Sequence, residues 1–171
     1  MFKLKFPAKD IPRWAAKYDY PESDDLPAQI GELAKAAGSL TRSQFLEMAR
    51  WKTSRSKSRC AKNSDEFVAE VTSAALRSNI PRFKVEVLTL LDGVDWPTAS
   101  VILHFCDRER WPIIDFRAFW SLGQDSPAGR YTVDMWTAYT LYTRQLAHSA
   151  KVDMRTLDRA LWAYSKQNQR R

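Results

Sequence analysis

A chain of 171 residues with 44% hydrophobic and 27% charged residues has room for one domain or two small lobes, and its composition excludes a disordered or fibrous protein. A net charge of +7 favours a polyanionic partner, nucleic acid first, and the absence of any apolar run of about 20 residues excludes a helical membrane span. Two cysteines far apart, Cys60 and Cys106, exclude a disulfide framework and a four-Cys iron–sulfur cluster.

The first 25 residues read as irregular, with Pro7, Pro12 and Pro21 set among Trp14, Tyr18 and Tyr20. A short helix near Ile11, with Pro in its first turn, fits this stretch, which is expected to lie as a strap across a later surface. The start is too short and too charged for a signal peptide, so a cytoplasmic monomer is expected, nucleoid-associated in a bacterium. From Leu26 to Ala37 a helix is expected, with Leu26, Ile30, Leu33, Ala34 and Ala37 on its inner face and Gly38 as its stop. Thr41-Arg42-Ser43-Gln44 is a capping-box signature for a second helix ending near Lys52.

Residues 52–62 hold five basic residues, no acid and interleaved Ser, which predicts a loop. Arg55, Lys57 and Arg59 are candidate phosphate contacts; the plainer alternative is a solvated linker. Trp51 beside them is either a base-stacking ring or a core side chain. Asn63-Ser64-Asp65-Glu66 caps a helix over about 65–78, with Phe67, Val68, Val71, Ala75 and Leu76 inward, and Ile80-Pro81 breaks it.

The organising stretch runs from Phe83 to Arg117. An apolar helix ends at Leu91, a turn follows at Asp92 to Asp95, and a second apolar helix starts near Pro97. Gly93 supplies the positive φ such a turn needs. Turn amides and the positive end of the second helix hold a backbone phosphate without reading bases. Gly93, Val94, Asp95 through its backbone, and Thr98 are the candidate ligands; Asp95 is also a plausible N-cap. Pro112-Ile113-Ile114 then leads to a lone carboxylate, Asp115, ahead of a helix at 116–122. Asp115 is a candidate catalyst and, equally, a good helix cap.

A loop is expected at 124–130, a long helix from Thr132 to His148, and a last helix over 154–167 capped by Asp153. Nothing reads as a strand, so the fold class is all-α. His104 reads as a core histidine, and no His, Cys and carboxylate set has metal-ligand spacing.

Leu-x-Gly-Val-x-x-x-Thr-Ala, then Ile-Leu-x-Phe, then Pro-Ile-Ile-Asp-x-Arg resembles the helix-hairpin-helix DNA glycosylase superfamily over residues 84–123. The resemblance implies two helical lobes with a cleft. One lobe would be 26–114, with its hairpin at about 84–106; the other would be 1–25 plus 115–171, with Asp115 at the cleft mouth. It implies removal of a damaged or modified base from double-stranded DNA, with Asp115 as the catalytic carboxylate and Trp51, Trp120 and Tyr18 lining a base pocket. Pro97 occupies the position where bifunctional members carry a Schiff-base Lys, so a monofunctional enzyme is implied. The second hairpin Gly of the family is Asp95 here, an anion where a phosphate is expected. No cofactor is implied beyond a monovalent cation at the hairpin carbonyls. The rival readings are a non-catalytic DNA-binding protein of the same fold and a protein-interaction domain with an aromatic cleft.

Overall fold

The computed structural model describes residues 1–125 and 130–169. Among them are ten α-helices and no strand: α1 (Ile11–Ala15), α2 (Asp25–Ala37), α3 (Arg42–Lys52), α4 (Lys57–Cys60), α5 (Asp65–Arg77), α6 (Pro81–Leu88), α7 (Trp96–Cys106), α8 (Phe116–Ser121), α9 (Val133–Ala150) and α10 (Met154–Asn168). The expected loop at 124–130, with Pro127 and Gly129, falls in part outside the described residues, as does the end of the tail. No described helix is long and apolar enough to cross a membrane. The helices form two compact units, residues 22–111 and residues 1–21 with 112–171.

In the 22–111 unit, local chemistry starts the helices. Thr41 and Gln44 close both bonds of the capping box on α3, and Ser64 caps α5 by accepting from the Phe67 amide. Every residue of α7 from Thr98 to Cys106 is buried, so this helix is the unit's axis. Helices α2, α3 and α6 pack on it.

The inner face of α2 differs from the expected one. Ile30 and Ala34 are buried as expected, but Leu26, Leu33 and Ala37 are exposed, and Pro27 and Gly31 are buried in their place. The cause is Gly31: a Cβ there would collide with the carbonyl of Phe105. The missing side chain lets α2 approach the α7 backbone, and the buried stripe rotates to bring Gly31 to the contact. Likewise Phe67 of α5 is exposed, and Thr72 is buried in place of a larger apolar residue. The Thr72 hydroxyl accepts from the Leu40 amide at 2.9 Å and donates to the Val68 carbonyl at 2.7 Å.

At the far end of α7 lies a buried ion pair. Lys84 Nζ stands 2.7 Å from Asp107 Oδ2, with both side chains buried. Lys84 also donates to the Ala75 and Leu76 carbonyls near the end of α5, and Asp107 accepts from Trp111 Nε1 at 2.9 Å. One ammonium therefore satisfies two carbonyls of one helix and the carboxylate that follows another.

The other unit is centred on α10, with α1, α8 and α9 against it. Asp153 caps α10 and Thr132 caps α9. The chain's first residues form the expected strap. The Lys3 and Lys5 amides donate to the Leu122 and Ser121 carbonyls at 2.8 and 2.9 Å. Phe2 lies against Phe119, Tyr139 and Tyr142.

Removing one partner of a buried, multiply bonded pair strands the other. Lys84→Met is therefore expected to lower unfolding free energy by about 3–5 kcal/mol, read by urea denaturation. Burial pushes the Cys106 thiol up to about 12 and raises that of Cys60 as well. Both cysteines are buried, so both should resist alkylation at pH 8 in the folded protein and react together once it is unfolded in urea.

Candidate nucleic-acid interface

The connection between α6 and α7 is a tight turn whose backbone is set by Gly93. Its φ is +82°, a region side chains resist. The space is closed as well: a Cβ on Gly93 would lie 2.7 Å from Cys60 Sγ and 2.9 Å from the Cys60 amide nitrogen. The turn thus sits directly on the end of α4.

Asn63 fastens the two. Its Nδ2 donates to the carbonyls of Cys60 at 2.9 Å and Asp92 at 3.0 Å, and its Oδ1 accepts from the Asp92 amide at 2.9 Å. Arg42, at the start of α3, holds the same segment from the other side by donating to the Ala61 and Asn63 carbonyls at 2.7 and 2.8 Å. Neither Asn63 nor Arg42 was expected to matter. The signal for Asn63 was only its place before a helix, where it reads as part of a cap.

Residues 52–62 are not the expected loop. They hold a short 3-10 turn, Ser54–Ser56, followed by α4. Ser56 and Cys60 are buried, one helical turn apart, while Arg55, Lys57, Arg59 and Lys62 are exposed. The interleaved Ser are the inner face and outer spacers of a small amphipathic helix. Its cations stand on the segment that Asn63 fixes to the turn, so turn and basic face form one element.

The turn presents fewer free groups than expected. The Val94 amide donates to the Leu91 carbonyl at 3.0 Å, and the Val94 side chain is buried. Thr98 is 1% exposed, and its amide and hydroxyl both meet Asp95 Oδ1, at 3.2 and 3.1 Å. Val94 and Thr98 are therefore corrected from external ligands to internal supports, because their donors are already met. Asp95 is exposed and is the N-cap of α7. Its carboxylate occupies the positive end of that helix. The Leu91 and Asp92 carbonyls each accept one hydrogen bond, from the Val94 amide and Asn63 Nδ2. Among the described residues no group of three or more His, Cys, Asp or Glu is placed to hold a metal ion.

An open groove of about 700 Å³, lined by Arg77, Lys84, Arg108 and Trp111, lies at the Cys106 end of α7. The turn lies at the Trp96 end, about 15 Å away along an 11-residue helix. The groove is thus separate from the basic face.

In the other unit, Asp115 has an extended backbone and caps α8, its Oδ1 accepting from the Arg117 amide at 2.8 Å. The approach to it is held firmly. Ile113 accepts from the Tyr139 hydroxyl at 2.8 Å and donates to Asp158 Oδ1 at 3.4 Å. Burial, reinforced by Asp158 and Asp115, raises the Tyr139 hydroxyl well above the usual tyrosine range, so it stays a neutral donor. Tyr139 and Asp158 position the segment before Asp115, which their places in a helical pattern did not reveal.

The three candidate pocket aromatics have different surroundings within their own units. Trp51 is buried in the 22–111 unit, its Nε1 donating to the Ser23 carbonyl at 3.0 Å and its ring edge-on to Phe105. It is corrected to a core residue, since both its polar end and its ring are used in packing. In the other unit, Lys5 Nζ lies 3.6 Å over the Trp120 ring, which also meets Tyr164. Tyr18 instead stacks on Tyr20 and meets the edge of Trp162.

Comparisons with family models, curated proteins and solved structures give no match to this chain.

Gly93→Ala is expected to destabilise the protein by more than the roughly 1–2 kcal/mol cost of a left-handed backbone, because the added Cβ also meets Cys60. Asn63→Ala leaves a buried carbonyl of Cys60 and part-buried backbone groups of Asp92 without their partner and should cost about 1–3 kcal/mol. Thermal unfolding of both variants measures these losses.

Proposed function

We propose that this chain is a monofunctional DNA glycosylase with a helix-hairpin-helix fold, in which α6, the turn and α7 form the hairpin. The observation that carries the reading is the turn itself. Gly93 at positive φ, the α7 N-terminus behind it and a basic helix locked beside it by Asn63 together suit the sugar–phosphate backbone of duplex DNA. Arg55, Lys57 and Arg59 supply the charge, and the exposed rim of the turn supplies register.

The reaction assigned to Asp115 is hydrolysis of the N-glycosidic bond. As the C1′–N bond breaks, its electron pair leaves with the base and the sugar gains oxocarbenium character. A carboxylate beside the sugar stabilises that charge and orients a water whose oxygen bonds to C1′. The proton lost by the water neutralises the departing base. Asp115 suits this role because its position is fixed from three sides, by its own helix cap and by Tyr139 and Asp158 acting on Ile113. A base must leave the stack to be read.

One observation favours a second reading, a DNA-binding protein of the same fold without the reaction. Asp95 sets an anion at the helix end where a phosphate would otherwise lie. Substituting Asn keeps the cap, since Asn and Asp cap about equally well, and removes the charge. Asp95→Asn is expected to tighten duplex binding severalfold with no loss of thermal stability. Each of Arg55→Ala, Lys57→Ala and Arg59→Ala should reduce the slope of log affinity against log salt by about 1.

The reaction is tested by incubating the protein with duplexes carrying a panel of modified bases and cleaving abasic sites with alkali. Wild type is expected to release one class of base. Asp115→Asn, which preserves the cap, should fall by about a hundredfold or more with duplex binding retained. Duplex binding without base release from any substrate would establish the non-catalytic reading.

A further inference from the structure

The chain segment after α1 and the outer side of α10 build a cluster that the duplex-binding turn does not use. Tyr18 and Tyr20 lie nearly parallel, ring centroids 5.9 Å apart and planes 9° from one another. Trp162 meets both edge-on, at 5.1 and 5.6 Å. Cations surround these rings. Arg155 and Arg159 stand 5.1 and 5.6 Å from the Tyr18 centroid, and Arg117 stands 5.4 Å from that of Trp162. Arg155 also donates to the Tyr18 hydroxyl at 2.8 Å. Lys166 lies 5.1 Å from the Trp162 ring and pairs with Asp19 at 2.7 Å. All three rings are only half-buried, as are the three arginines.

Three guanidinia and three aromatic rings thus share one half-buried surface. Rings and guanidinia together match the chemistry of unpaired nucleotides: bases stack on flat side chains, and the intervening phosphates pair with arginine. An acidic peptide would need the arginines but not the rings. We propose that Tyr18, Tyr20, Trp162, Arg155 and Arg159 form a binding site for single-stranded nucleic acid. The site belongs to the unit that does not hold the turn at Gly93, and it does not depend on hydrolysis at Asp115.

The test is fluorescence anisotropy of a labelled 12-nucleotide oligothymidine with the full chain, at low and moderate salt. Wild type is expected to bind. Tyr20→Ala should weaken binding about tenfold, the lower range for one lost stacked base. Arg159→Gln should weaken it and lower the salt slope by about 0.7, the single-strand value per charge. Tyr18→Phe keeps the ring and should stay within about twofold of wild type. None of these should change duplex binding, and Asp115→Asn should leave oligothymidine binding unchanged, so a failed hydrolysis reading would not be mistaken for a failure here. If Tyr20→Ala does not fold, Arg159→Gln decides, since it keeps most of the arginine stem. Failure of wild type to bind the probe, or full binding by Arg159→Gln, would overturn the proposal. So would displacement of the probe by polyglutamate as readily as by unlabelled oligothymidine, which would mark the site as a charge patch for acidic peptides.

Discussion

The arrangement of the basic face depends on one side chain, Asn63. Its amide bridges the end of α4 to the turn before α7 through three hydrogen bonds, two donated and one accepted. No apolar contact would fix two short, irregular segments as specifically, because the amide matches a carbonyl and an N–H of the same residue, Asp92. Gly93 makes the bridge possible by letting the turn settle against Cys60 without a Cβ between them. With the turn and α4 held as one piece, Arg55, Lys57 and Arg59 have a defined relation to the α7 N-terminus. In the proposed duplex complex, an electrostatic attraction that would otherwise be diffuse gains a register.

In the proposed reaction, a structural and a chemical role would share one side chain, Asp115. One carboxylate oxygen caps α8, which fixes the rotamer of a group whose value to a reaction is its position. Behind it, Tyr139 and Asp158 fasten Ile113 from α9 and α10. The buried tyrosine stays protonated because a phenolate there would be desolvated and would face two carboxylates. Asp95 makes the opposite case in the 22–111 unit. There the cap itself takes the place at the helix end that a bound phosphate would use.

Much of the helical fold was legible in the sequence because the signals were local. The capping box at Thr41 and Gln44, the caps at Ser64, Asp95 and Asp153, and the stop at Gly38 each involve residues within one helical turn. What was not legible depends on partners distant in sequence. The buried stripe of α2 turns toward Gly31 because Phe105 lies across from it, a fact held 74 residues away (105 minus 31). The 52–62 segment reads as a loop from its Ser and basic residues, yet it folds because the turn at Gly93 gives Cys60 something to pack on. Trp51 beside a basic stretch invites a binding role, and only Ser23 and Phe105 reveal it as core. For the same reason Asn63, Tyr139 and Asp158 went unseen: each acts through a bond to a residue more than 20 positions away.

The central claim is that the Asn63-locked turn and α4 meet duplex DNA as a single element. Amide hydrogen exchange with and without a short duplex tests it most directly. The account predicts that residues 55–63 and 91–98 gain protection together, in the same range of duplex concentration. Protection of one segment without the other, or of neither while the duplex is bound, would contradict it.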